Sequence, residues 1–292
     1  MDKTIKKIKK LSVFFSEYED MSRHTTLKSG GTARFYCEVD NIKSLIKIIK
    51  LCKNKLPFHI LGQGSNSLFL NYKGVVICTR KLDNCKIKGQ SVYCECGVNL
   101  FKLNILLKSN CLSGLEFSFG IPASVGGACV MNAGAYGKEF GSFVEKVLVY
   151  DKKLHTIKRQ SLNFSYRNSS LKQNNNVVLA VWLKLKKSNS QTIEQTMRQI
   201  YQKRLESQPN LPSAGSVFKR DGDIIPAKII DNMGFKGVKI NGAMVSDKHA
   251  GFIVNTGKAS PKDILELINV IKNKVKQKYN IDLQQEIEII GE

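Results

Sequence analysis

The sequence predicts an α+β protein built from more than one domain. Three observations carry that expectation. A chain of 292 residues is long for one hydrophobic core. Apolar stripes at helical spacing alternate with short apolar runs of strand length. The strands of the middle third follow one another with few helices between, which points to antiparallel pairing there.

The elements follow in chain order. Residues 1–11, "MDKTIKKIKKL", read as an amphipathic first helix or a frayed basic end. After Asp40–Asn41, Ile42, Leu45, Ile46, Ile49 and Cys52 recur at helical spacing, with Lys43, Lys47 and Lys50 on the other face. "FHIL" (58–61), "GVVIC" (74–78) and "SVYCECG" (91–97) read as strands, and Asn99 caps a helix, "LFKLNILLKSN". Further strands are expected at 144–151, 154–158 and 177–185. A helix over 189–207 stops before Pro209 and Pro212. Glycine turns at Gly215, Gly222, Gly234, Gly237 and Gly242 lead to a strand, "GFIVN" (251–255). Ser260–Pro261–Lys262–Asp263 opens a helix with a capping signal, and Ile264, Leu265, Ile268 and Ile271 form its buried stripe. The chain closes on a terminal strand, "DLQQEIEIIG".

Composition narrows the class. Apolar residues make up 42% and charged residues 24%, as in a folded soluble protein. No apolar run reaches the about 18 residues of a membrane span, and no secretory leader is evident. The eight cysteines show no CxxC or His/Cys cluster, which points to reduced thiols in a cytosol. Cys94 and Cys96, two apart on a strand, share one face. The net charge of +22 is spread along the chain without a nucleic-acid motif, so an anionic small molecule is the expected beneficiary of the field. His24, His59, His155 and His249 lack ligand spacing, so no metal site is expected, and His249 reads as packed or hydrogen-bonded.

Two stretches are unusually bare. "LGQGSN" (61–66) follows a strand, and "GIPASVGGACVMNAGAYG" (120–137) holds five glycines and four alanines. Small residues let a ligand or another backbone approach closely, and successive amides in such turns form anion-holding nests. Neither stretch is a Walker A or a complete G-x-G-x-x-G motif. Ordinary turns would account for "GQGSN" alone. Two such segments about sixty residues apart suggest one extended phosphate-bearing cofactor held from two sides.

"LGQGSN", "GIPASVGGACVMNAGAYG", "SYRNS" (165–169), "SAGSVFKR" (213–220), "VSDKHAGFIVN" (245–255) and "EIEIIG" (286–291) occur in that order. Together they resemble the UDP-N-acetylenolpyruvoylglucosamine reductases, from about residue 24 to the C-terminus. The resemblance implies an FAD-binding fold of the vanillyl-alcohol-oxidase type with an α/β substrate-binding C-terminal domain. It implies non-covalent FAD, NADPH as reductant and a UDP-sugar enolpyruvyl ether as substrate, in a cytoplasmic monomer without membrane insertion. The expected domains are residues 1–78 and 79–190 for FAD, 195–280 for substrate, and a terminal strand, 281–292, returning to the flavin side. Only about ten residues separate Arg167 from Val177, which resembles the shorter subtype without a tyrosine-bearing loop. Gln285 and Glu288 depart from the commoner Pro-Glu-Val-Arg ending.

The same resemblance assigns residues. Gly62, Gln63, Gly64, Ser65 and Asn66 would meet the cofactor, with Gly120, Ile121, Pro122, Ala123, Ser124, Gly126, Gly127, Asn132 and Ala133; the glycine segment is expected to be helix-free. Ser216 would protonate the carbanionic carbon, and Arg167 with Glu286 would steady the enolate. Tyr166, Arg204, Lys219 and Arg220 would contact the substrate. From the residues alone, Ser216 is a turn serine, Arg167 one of 46 basic residues, and Glu286 an exposed carboxylate on an alternating strand. Arg204 continues the stripe Ile193, Met197, Ile200, where a carboxylate partner is the plain alternative. A related FAD oxidase and a non-enzymatic basic binding protein are the rival functions.

Overall fold

The helices form where apolar spacing and caps coincide. In the computed structural model, which describes residues 2–173 and 176–292, Ile42–Cys52 is helical and buries Leu45, Ile48, Ile49 and Cys52. The Asn41 side chain accepts from the Ser44 amide at its start. The basic N-terminus is an ordered helix, Asp2–Leu11, which buries Ile5 and Ile8 and turns its lysines outward. The chain divides into two compact units. One comprises residues 1–16, 36–63 and 75–204, the other 17–35, 64–74 and 205–292.

The first unit carries a five-stranded sheet in the order Leu154–Lys158, Val144–Tyr150, Val177–Lys184, Ser91–Glu95, Cys85–Lys88. Every neighbouring pair is antiparallel, as the run of short strands suggests. Val177–Lys184 lies in the middle, and its residues from Val177 to Val181 are all buried. In the same unit Phe58–Leu61 pairs in parallel with the 75–78 part of Tyr72–Cys78. The glycine segment departs from expectation. It contains a short helix, Val125–Val130, whose first turn is capped by Ser124 accepting from the Gly127 amide.

The second unit holds a four-stranded antiparallel sheet in the order Ser213–Ser216, Phe252–Asn255, Ala243–Val245, Lys239–Ile240. Helix Pro261–Tyr279 contributes Ile264, Leu267, Ile268, Ile271 and Val275 to its core, joined by Leu283 and Ile287. Leu265, expected in that stripe, is only half-buried, and Leu267 takes its place. The regular part of the terminal strand is shorter than the alternation suggests. It covers Glu288–Ile290 and runs parallel to Ser67–Phe69. Residues 284–287 instead lie along the chain that leaves Ser216, with Lys219 N–H donating to Gln284 and Glu286 N–H to Val217.

The start of Pro261–Tyr279 is a complete capping box. Ser260 Oγ accepts from the Asp263 amide at 3.2 Å, and the Asp263 carboxylate accepts from the Ser260 amide at 2.8 Å. Asn241 also donates to Asp263 at 2.9 Å. These donors hold the Asp263 carboxyl below its usual pKa, the Asn241 bond first. Ser260→Ala leaves an N-terminal amide without its cap. Urea titration of the variant is expected to show about 1 kcal/mol less stability, with an unchanged slope.

Candidate functional site

In the first unit Gly62 of the shorter bare stretch meets Ser124 of the longer one. A Cβ on Gly62 would run into Ser124 Oγ, so any larger residue there requires the Ser124 hydroxyl to move. Gly126 is packed as tightly, its missing Cβ 2.8 Å from that of Cys96. The amides of the longer segment are spent on the fold. Ile121 N–H donates to Ser118, Ala123 to Ile121, Gly126 to Cys96, Gly127 to Ser124 and Ala133 to Ala128. These five positions therefore do not offer spare backbone donors, contrary to the expectation for a nest. The shorter segment does. The amides of Gly62, Gln63, Gly64 and Ser65 make no hydrogen bond among the described residues. Gly64 has φ +66, and a Cβ there would stand 2.3 Å from the His24 carbonyl oxygen.

Arg167 sits at the tip of a two-residue turn, with φ +52. Ser165 and Asn168 exchange both backbone hydrogen bonds at 3.1 Å across it. The guanidinium carbon lies 5.1 Å from the centre of the exposed Tyr166 ring, and one terminal nitrogen rests over the bare Cα of Gly134. Asn132 anchors this turn. It is fully buried, at φ +44, and its amide donates to Ser165 C=O at 2.9 Å and to Glu139 at 2.8 Å, while its oxygen accepts from the Gly141 amide. Its side chain thus faces the protein rather than a cofactor.

Arg204 is the cation on the stripe of helix Ser190–Ser207. Its partner is the Tyr136 hydroxyl, and no carboxylate pairs with it among the described residues. Burial lowers its pKa, and the Tyr136 contact offsets part of that. Gly120, at φ +85, packs against the guanidinium stem, where a Cβ would meet Cδ and Nε at 3.2 Å. Tyr136 lies inside the glycine segment, so the segment closes over this cation within the same unit.

Ser216 and Glu286 are neighbours in the second unit. Ser216 ends its strand opposite Phe252, after Gly215 at φ +76. The next residue, Val217, accepts the Glu286 amide at 2.7 Å. Glu286 is held from the other side by Asn66, whose side-chain amide donates to the Glu286 carbonyl at 2.9 Å. The Asn66 carbonyl in turn accepts from the Glu288 amide at 2.9 Å. Glu286 is half-buried and Glu288 exposed, so the two are not equivalent as simple alternation implies. Lys219 is half-buried and Arg220 exposed. His249 is packed edge-on against Phe252 at 4.9 Å, and its Nδ1 accepts from the Gly251 amide. Burial pulls its pKa down, a backbone hydrogen bond opposes this, and Lys236 and Arg220 push the same way as burial.

Sequence reasoning missed the Tyr136 partner of Arg204 and the anchoring role of Asn132. Tyr136 was within a quoted motif, but its partner is nearly seventy residues away.

Comparison with known proteins gives two family matches. Residues 207–290 match the family described as UDP-N-acetylenolpyruvoylglucosamine reductase, C-terminal domain, and residues 33–153 match FAD binding domain. The chain is 40% identical over 294 residues to the UDP-N-acetylenolpyruvoylglucosamine reductase of Thermotoga sp. (strain RQ2), covering 99% of this chain and 98% of that one. It is 43% identical over 277 residues to that of Thermotoga maritima, covering 93% and 97%. The crystal structure of UDP-N-acetylenolpyruvylglucosamine reductase from Thermus caldophilus superposes with a TM-score of 0.82 at 32% identity, covering 95% of this chain and 98% of that one.

The contact between the bare stretches is directly testable. Gly62→Ala drives a methyl group into Ser124 Oγ, and its thermal midpoint is expected to fall by several degrees, consistent with about 1–3 kcal/mol of overpacking. Adding Ser124→Ala to the same chain removes the struck oxygen and restores part of the loss. A Gly62→Ala protein as stable as the wild type would show that the Ser124 hydroxyl yields to the methyl group without cost to the fold.

Proposed function

This chain belongs to the UDP-N-acetylenolpyruvoylglucosamine reductase family, and from that premise we propose how its residues divide the reaction. The protein is an FAD-dependent oxidoreductase of α+β fold. It uses NADPH to reduce UDP-N-acetylenolpyruvoylglucosamine to UDP-N-acetylmuramate for peptidoglycan synthesis. No helix among the described residues is long and apolar enough to cross a membrane. A cytoplasmic setting, where nucleotide sugars and NADPH are found, is the compartment this reading implies.

The chain's own groups fit FAD. Four consecutive amides, Gly62 to Ser65, have no acceptor among the described residues, and anionic oxygens are what such donors take. The backbone beside them is bare where a side chain would intrude. Gly62, Gln63, Gly64 and Ser65 are therefore the proposed diphosphate contacts. Gly120, Pro122 and Ser124 supply close-packed surface, and Ile121, Ala123, Gly126, Gly127 and Ala133 act by shape rather than as amide donors. Asn66 and Asn132 are positioning residues in this scheme, the first for Glu286 and the second for the Arg167 turn.

When bound, FAD supplies the hydride that it receives from NADPH. Hydride addition beside a carboxylate places negative charge on an enolate, and the adjacent carbon must then take a proton. Arg167 presents a fixed fork of donors for that charge. Its left-handed turn, braced by Asn132, limits the ways it can point. Ser216 is the proposed proton donor, and Glu286 works with Arg167. Arg204, a half-buried cation that meets a phenol and no carboxylate among the described residues, suits a substrate phosphate, with Tyr166, Lys219 and Arg220 as outer contacts. The observation that supports the assignment is the 2.7 Å bond from Glu286 N–H to Val217 C=O, which ties the segment carrying Glu286 to the one that begins at Ser216.

Ser216→Ala tests it. The variant is expected to keep its FAD and to be reduced by NADPH at nearly the wild-type rate. Reoxidation by the UDP-sugar under anaerobic conditions should slow by roughly 10²–10⁴-fold, the usual worth of a positioned general acid. Stopped-flow absorbance separates the two half-reactions. Equal slowing of both would mean general damage, and slowing of neither would return Ser216 to the role of a turn serine.

A further inference from the structure

Cys85 and Cys94 face each other across the outermost pair of the five-stranded sheet, with their sulfurs 3.5 Å apart. They are direct register partners. The Glu95 amide donates to the Asn84 carbonyl at 2.9 Å, which puts Cys85 and Cys94 at a non-hydrogen-bonded position of the ladder. At such positions Cα atoms approach to about 4.5 Å. A disulfide accepts Cα separations of about 4.4–6.8 Å, so the bond needs no backbone rearrangement. Cys94 is buried, whereas Cys85 lies on the edge strand and is half-buried, which gives a reagent one sulfur to reach.

We infer that Cys85 and Cys94 form a redox-active dithiol, a modification site for low-molecular-weight disulfides of the glutathione class. The two thiols share one S–H···S contact, in which either sulfur can be the donor. That bond holds the Cys85 pKa below the ordinary thiol value, while the same bond and burial push that of Cys94 well up. Cys85 is thus the attacking sulfur. Its thiolate attacks one sulfur of the reagent, forms a mixed disulfide and releases one thiolate. Cys94 then gives up its proton and attacks the Cys85 sulfur, releasing the second. Two protein thiols are oxidised by two electrons, and one reagent disulfide is reduced to two thiols.

The bond would clamp the edge strand to Ser91–Glu95. That strand continues to Cys96, whose carbonyl takes the Gly126 amide at 2.8 Å. The dithiol therefore sits two residues from backbone that holds the glycine segment in place. None of this depends on the roles proposed for Ser216, Arg167 or Glu286.

The test uses the full chain carrying FAD, treated with oxidised glutathione, then alkylated and digested with trypsin without reduction. Mass spectrometry is expected to show residues 82–86 linked to residues 89–102, and dithiothreitol should release both peptides. The link should persist in Cys96→Ser and vanish in Cys94→Ser, where Cys85 should stop at the glutathione adduct. Fragmentation of the wild-type linked pair assigns the bond to Cys94 without any variant. A wild-type protein in which Cys85 stays unmodified, or ends as a glutathione adduct, overturns the inference. So does a link that survives in Cys94→Ser or that fragmentation assigns to Cys96.

Discussion

The hydrogen bonds that stitch residues 284–290 into the second unit are the constraint on which the proposed chemistry depends. Glu286 is gripped on both sides of its peptide, by Val217 through its amide and by Asn66 through its carbonyl. The next bond along runs from the Glu288 amide back to Asn66. Each is worth only about 1 kcal/mol net. Their value is geometric, because together they fix the register of a segment whose regular strand is just Glu288–Ile290. Ile287 and Ile290 add buried anchors beneath it. One asparagine side chain thus joins the end of a glycine-rich loop to the backbone of Glu286.

A second constraint is the division of labour among backbone amides. In the segment 120–137 most donors close the protein's own turns, and the bare side chains serve close packing against Cys96 and Arg204. In the loop 62–65 the donors find no acceptor among the described residues. Buried or half-buried amides are normally paired, so a run of four without partners is a feature of a binding loop rather than of a structural turn. The same small residues look alike in sequence, yet one stretch supplies shape and the other supplies donors.

Much of this was legible in the sequence where local rules dominate. The helices Ile42–Cys52, Leu100–Ser109 and Pro261–Tyr279 follow from apolar spacing with an Asn or Ser cap. The strands Phe14–Asp20 and Thr32–Glu38 gave little signal. The first is largely polar, "FFSEYED", and contains Tyr18 at φ +55. Helix Val125–Val130 defies propensity, since two of its six residues are glycine; the Ser124 cap and tight packing on Cys96 outweigh that cost. The pairing of Glu286 with Val217 crosses about seventy residues, and no periodicity encodes it. The family resemblance alone singled out Ser216 as the proton donor and Glu286 as the partner of Arg167. Asn132 shows the converse limit: its motif was visible, but its bonds to Ser165, Glu139 and Gly141 are tertiary facts.

We propose that Ser216 and Glu286, carried on two segments joined by that backbone stitching, serve one reaction together. A double-mutant cycle on turnover, using Ser216→Ala, Glu286→Gln and the combined variant, measures this directly. Groups that act together lose their joint effect once, so the double variant should retain about the activity of the weaker single variant. If instead the two losses multiply, the residues act independently, and the adjacency imposed by Val217 and Asn66 has no part in the reaction.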